Sequence, residues 1–219
     1  MTDFADARRH MVDGQVRPAD VTDLRVISAM LEVPRENFTS PSATSIAYLD
    51  LDLPVGEGAG APRRLLRPML LAKLLNAAEI GPTDRVLDVG CATGYSAAVL
   101  ARIAGQVVAL EQDPGLVKTA KVALASQPNV TVVSGPLVDG WPQGGPYDLI
   151  VLEGSTEIEP QAFCQQLKEG GKLICVLGST PGAAAMLYRR SGNEFAGRPV
   201  FSAAAAALPG FVKPPAFAF

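Results

Sequence analysis

Histidine is almost missing from this chain: His10 is the only one among 219 residues. That scarcity excludes a hydrolytic triad with an imidazole base and a zinc centre built on histidine. Cysteine is nearly as rare. Cys91, Cys164 and Cys175 are odd in number and follow no metal-ligand spacing, so they read as buried thiols. No apolar run approaches the roughly 18 residues of a membrane span. The opening MTDFADARRHMVDG carries no apolar stretch of signal-peptide kind, and the expected location is the cytoplasm, without a membrane partner. Neither sign of charge is in large excess: 19 Lys and Arg against 22 Asp and Glu give a net charge of -3, which leaves no basic footprint for nucleic acid. Apolar bulk is what the chain has. At 48% hydrophobic content it can bury a full core, and one domain over residues 1–219 is expected.

Along the chain, Asp20 or Thr22 can cap a helix whose apolar residues Val26, Ile27, Met30 and Leu31 share a face before Pro34 stops it. Pro41, Pro54, Gly56, Gly58, Gly60 and Pro62 then predict an irregular stretch up to LRPMLLAKLLNAAEI, where Pro68 suits the first turn of a helix. From Arg85 the pattern alternates: strand 86–89, helix 94–104, strand 107–110, helix 114–126, strand 130–133, then YDLIVLEG as a strand. A helix over about 161–167 and KLICVLG as a fifth strand follow. Such alternation predicts an α/β fold, a mostly parallel, doubly wound Rossmann-like sheet. The expected divisions are an N-terminal helical cap (1–67), a cofactor-binding core (68–180) and C-terminal strands with a proline-punctuated tail (181–219).

VLDVGCATGYSAAVLA, from Val86 to Ala101, reads as strand, glycine turn and helix, with Glu111 closing the next apolar run. This is the layout of a nucleoside-binding half-domain, in which the acid accepts the ribose hydroxyls. The turn is Gly90, Cys91, Ala92, Thr93, Gly94 and lacks the middle glycine that lets a backbone approach a pyrophosphate. Asp88, just before it, would repel a pyrophosphate and welcome an ammonium. The predicted cofactor is therefore S-adenosyl-L-methionine rather than a dinucleotide, held by Asp88, Gly90, Cys91, Ala92, Gly94, Glu111 and Gln112.

RRHMVDGQVRPADVTDLRVISAMLEVPRENF, the glycine turn, GPYDLIV and QLKEGGKLICVLG together resemble the protein-L-isoaspartate O-methyltransferase family over nearly the whole chain. Arg9, Met11, Val12, Gln15, Val26, Ala29, Met30, Val33, Pro34, Arg35 and Phe38 fall at that family's spacings. The resemblance implies a seven-stranded methyltransferase fold that esterifies the free α-carboxylate of isoaspartyl residues in damaged proteins, so that the ester can cyclise and the backbone revert. An ionised carboxylate needs alignment with a methyl donor more than a general base.

Three departures lie near the implied active site. Leu66 stands where the family has a serine that helps hold cofactor and substrate, within Arg64-Leu65-Leu66-Arg67-Pro68. Pro136 replaces an aspartate that binds the adenine edge, which leaves that task to the Leu137 or Val138 backbone. Glu153 follows the fourth strand where the family has small neutral residues. A carboxylate there would repel an isoaspartyl carboxylate unless Arg63, Arg64 or Arg67 compensates, and would suit an amine or hydroxyl acceptor that needs a base. The bland alternative for Glu153 is an arginine-paired loop charge, and for the arginines a solvated helix start. Leu66, Glu153 and Arg67 are thus the candidate catalytic positions. The leading expectation is carboxyl methylation of an isoaspartyl protein or peptide; the alternatives are a small-molecule, amine or hydroxyl acceptor, or cofactor binding without catalysis.

Overall fold

Asp3 starts the first helix, α1 (Phe4–Met11), by accepting hydrogen bonds from the Ala5 and Asp6 amides. The protein is described here by a computed structural model covering residues 3–56, 63–179 and 182–213. After α1 the chain continues through a wide turn at Val12–Val16 and a tight one at Arg17–Ala19. Helix α2 (Leu24–Glu32) is capped by Asp23, not by Asp20 or Thr22 as the sequence predicts. Asn76 decides this: its Oδ1 accepts from the amides of both Thr22 and Asp23 at 2.9 Å and so fixes the chain one residue before the helix begins. Val26, Ile27 and Met30 are buried as expected.

The stretch expected to be irregular contains a small antiparallel sheet, β1 (Leu53–Val55) with β2 (Arg63–Leu65). Residues 57–62, which hold the breakers Gly58, Gly60 and Pro62, lie outside the described residues. Helix α3 (Pro68–Ala78) has Pro68 in its first turn. Arg35 ties this region together. It is fully buried, donates from Nε to the Ala47 carbonyl and from Nη2 to the Leu66 carbonyl, both at 2.9 Å, and lies 4.6 Å from the centre of the Tyr95 ring.

The main sheet follows: β3 (Arg85–Val89), α4 (Tyr95–Leu100), β4 (Gln106–Glu111), α5 (Pro114–Ala123), β5 (Val130–Ser134), β6 (Tyr147–Thr156), β7 (Leu167–Leu177), β8 (Ala184–Ser191) and β9 (Glu194–Ser202). Spatial order is β5-β4-β3-β6-β7-β8-β9; the first five strands run parallel and β8 and β9 antiparallel. Expected helices end early because their last turns tighten: Arg102 and Ile103 bond back three residues after α4, and Ala125 and Gln127 do so after α5. The segment 161–167 is likewise a tight turn, Gln161–Gln166.

Alternation along β3 and β6 sorts the core into two layers. Val86, Leu149 and Val151 meet α1, α2 and α3 on one face; Leu87, Val89, Ile150 and Leu152 pack with Tyr147, Phe163 and Leu208 on the other. β3 and β6, adjacent in the sheet but not in the chain, lead opposite ways from its middle: β3 to β4 and β5 on one side, β6 to β7 on the other. That is the switch point where open α/β sheets bind ligands.

Past β9 the chain turns back across this point. Beyond Val89, where β3 has ended, Ser155 donates to the Ala206 carbonyl at 2.8 Å and accepts from the Leu208 amide at 2.9 Å; Glu157 donates to the Phe211 carbonyl at 2.8 Å. The strap thus fills the edge of β6 that β3 vacates. Phe211 stacks on Phe163 at 6.2 Å. Residues 208–213 of the tail pack along the fold, and residues 214–219 lie outside the described residues.

Gly94 makes the turn into α4 possible. Its φ is +100°, and a Cβ there would stand 2.7 Å from Leu124 Cδ1 and 3.1 Å from Cγ, in the buried layer under α5. Gly94→Ala is expected to lower unfolding free energy by about 2 kcal/mol through strain and overpacking. Urea denaturation measures this, and a loss below about 0.5 kcal/mol would show that the turn relaxes freely.

Candidate active site

Glu111 is the fixed point of the site. The last residue of β4, it is fully buried. Its Oε1 accepts from the amides of Gln112 (2.9 Å) and Asp113 (3.2 Å), and its Oε2 from the amide of Ala92 (2.9 Å). Ala92 reaches it because the turn holds Gly90 at φ +83° and Ala92 itself at φ +52°, with the Gly90 and Cys91 amides both bonded to the Leu110 carbonyl. The fourth bond comes from a side chain: Arg63 Nη2 lies 3.1 Å from Oε2 and 2.7 Å from the Gly90 carbonyl oxygen. A carboxylate offers about four acceptor positions, and all four are taken.

Two further acids flank the turn. Asp88 pairs with Val151 in the β3–β6 register, so Glu153, two residues on, faces the same side of the sheet. Asp88 accepts from Ser96 Oγ at 2.7 Å through Oδ2, whereas Asp88 Oδ1 and Glu153 Oε1 are buried with no partner among the described residues. Burial, with Glu111 nearby, pushes the Asp88 carboxyl from 3.8 up to about 7, against the opposing pull of Ser96 and Arg63. Burial, and then Asp88, lift Glu153 well above the usual range, although Arg63 and Arg35 act the other way. Glu153 is therefore neither a solvated nor an arginine-paired loop charge. It is a buried acid whose surroundings favour the neutral form.

The remaining predicted positions separate. Cys91 is buried, and burial raises its thiol far above the ordinary value. Gln112 offers Oε1 to the Leu137 amide at 3.4 Å, so the amide expected to read an adenine edge already has a protein partner. Pro136 leads into the short turn Leu137–Asp139. Leu66 is buried and contributes its carbonyl to Arg35. Arg67 pairs with Asp52, through its amide at 2.8 Å and its guanidinium at 3.8 Å, and Arg64 donates to the Asp52 carbonyl. Of the three arginines only Arg63 enters the turn. The sequence groups them because they are close; alternation along β2 parts Arg63 from Arg64, and Arg67 lies beyond the strand at the start of α3. Leu208 was outside the predicted site, yet a Cβ on Gly90 would lie 2.6 Å from Arg63 Nη2 and 2.9 Å from Leu208 Cδ2. No local signal in LPGFVK marks that long-range contact.

Comparison with known proteins agrees with this geometry. A family model described as protein-L-isoaspartate(D-aspartate) O-methyltransferase matches residues 7–203. The chain belongs to this family. A protein-L-isoaspartate O-methyltransferase 1 of Geotalea uraniireducens is 36% identical over 180 residues, 81% of this chain and 80% of the relative. One from Koribacter versatilis is 34% identical over 196 residues, 89% and 86% of the two chains. A solved protein-L-isoaspartate O-methyltransferase superposes with a TM-score of 0.82 at 26% identity over 93% of this chain, which spans 66% of that structure's length. A Plasmodium falciparum structure holding S-adenosyl-L-homocysteine shares the fold at a TM-score of 0.71 and 20% identity, covering 95% of this chain and 99% of that one. Membership makes the chain an S-adenosylmethionine-dependent methyltransferase in class, and the expected family, fold and cofactor class are borne out. No helix among the described residues is long and apolar enough to cross a membrane.

Asp88 also gives a sign to the pH dependence. With the folded carboxyl near 7 and the ordinary value at 3.8, the folded protein holds a proton that the unfolded chain releases across that window. Stability from this group is therefore full at the acid end and is lost as pH rises towards 7. Asp88→Asn removes the loss. Its melting temperature should rise relative to the parent between about pH 4 and about pH 7, and parallel curves would show that Asp88 is ionised throughout.

Proposed function

We propose that this chain transfers the methyl group of S-adenosylmethionine to the α-carboxylate of isoaspartyl residues in proteins or peptides. The observation that carries the reading is the set of acids at the switch point. Glu111, oriented by three backbone amides, has the placement that a ribose hydroxyl requires, and Asp88 Oδ1, beside the turn, is an unpartnered oxygen suited to a cationic ligand. The residues present fit the cofactor chemically. When bound, it supplies an electrophilic sulfonium methyl.

The chain's own work is then positioning. The glycine turn and Glu111 hold the nucleoside, and a substrate carboxylate needs no proton removed before it attacks. In the neutral form that its burial favours, Glu153 does not repel such a carboxylate. It can donate to it, a task Leu66 cannot perform with a hydrocarbon side chain. The same burial weighs against an amine or hydroxyl acceptor, because an acid whose neutral form is favoured is a poor general base.

Incubation with methyl-labelled S-adenosylmethionine and an isoaspartyl peptide should give a base-labile ester, with the matching aspartyl peptide unlabelled. Absence of label from the isoaspartyl peptide overturns the substrate assignment. Glu153→Gln sharpens the choice of role. A neutral amide replaces a neutral acid as donor, so turnover should stay within about threefold, whereas loss of a general base costs about a hundredfold or more.

A further inference from the structure

The ribose seat of this chain is filled by its own side chain. Three of the four bonds to Glu111 come from backbone amides held by the turns after β3 and β4, and none of them can leave without unmaking those turns. The fourth donor, Arg63 Nη2, sits at the end of a long side chain and can withdraw by rotation about side-chain bonds alone. It occupies Oε2, the only acceptor position on Glu111 that a ligand could gain by exchange.

Arg63 is also an incompletely satisfied resident. Its side chain is 10% exposed and Glu111 is fully buried, yet Nε has no partner among the described residues. Its second bond, to the Gly90 carbonyl at 2.7 Å, lays the guanidinium across the glycine turn, in the space that the missing Gly90 side chain leaves open. A guanidinium there pairs with the Glu111 carboxylate at 3.1 Å. A ligand that brings a hydroxyl donor and its own positive charge can replace it as donor and as cation.

We propose that Arg63 is a built-in competitor for the ribose seat, and that its exchange with a ribose hydroxyl at Glu111 sets how tightly this chain holds adenosine-containing ligands. The inference rests on the cofactor reading above. Competition of this kind acts on the ligand-free protein, because the guanidinium has left the seat in every complex. Its removal must therefore strengthen all ribose-bearing ligands by one common factor, whatever the rest of the ligand carries.

Titration calorimetry of the wild type, Arg63→Ala and Arg63→Lys with S-adenosylmethionine, S-adenosylhomocysteine and adenosine tests this. For Arg63→Ala all three dissociation constants should fall together, by about tenfold. Arg63→Lys, which keeps a cation in reach of Glu111, should stay near the wild type. A purely structural arginine would move affinity the other way, since its loss would loosen the turn. Unchanged or weaker binding by Arg63→Ala overturns the proposal, as does a gain confined to the ligands that carry the amino-acid portion. If Arg63→Ala does not melt cooperatively, Arg63→Gln carries the same comparison. Absence of S-adenosylmethionine binding by both the wild type and a cooperatively folded variant overturns the cofactor reading itself.

Discussion

A single carboxylate joins the two turns on which the site is built. Glu111 ends one parallel strand and receives the Ala92 amide from the turn after its neighbour, so the glycine turn cannot open without breaking a bond to a buried charge. That constraint explains why Ala92 tolerates a left-handed φ of +52°: the amide must point at Glu111, and a charge-assisted bond offsets the strain. It also fixes where α4 starts and places Ser96 within 2.7 Å of Asp88. Local backbone geometry, acid placement and the direction of the helix thus depend on one interaction.

The acids around it do different work because their surroundings differ. Glu111 has four donors, whereas Asp88 has the Ser96 hydroxyl and Glu153 has an oxygen with no partner among the described residues. Burial without sufficient hydrogen bonding favours the neutral form, and ionisation of one buried acid discourages its neighbour. A site with three carboxyl groups need not therefore present three negative charges to a carboxylate substrate. The environment of Glu153 favours its neutral form, which weakens the objection that the sequence raises against isoaspartyl methylation.

Closure of the switch point is the other consequence of the tertiary fold. Two segments distant in sequence, β2 and the strap after β9, bring Arg63 and Leu208 to the same glycine. Ser155 exposes unused backbone groups where β3 turns away, and the strap satisfies them as an additional strand would. Leu208 follows from that pairing, and its side chain is nearly fully buried as a result.

The strand-helix alternation from Arg85, the glycine turn, Glu111 and the helix start at Pro68 were all legible from the chain, because each rests on local periodicity, backbone preference or short spacing. The N-terminal segment made the family legible for the same reason. What local pattern could not supply were the Asp23 cap, chosen by Asn76 from across the fold; the separation of Arg63 from Arg64, decided by which side of a three-residue strand faces the turn; and the burial that favours the neutral form of Glu153. By itself the sequence determined that a glycine turn and an acid would stand at the ends of β3 and β4. Only the tertiary structure decided which distant side chains pack against them and which acids are buried without full hydrogen bonding, because long-range packing controls both burial and contact.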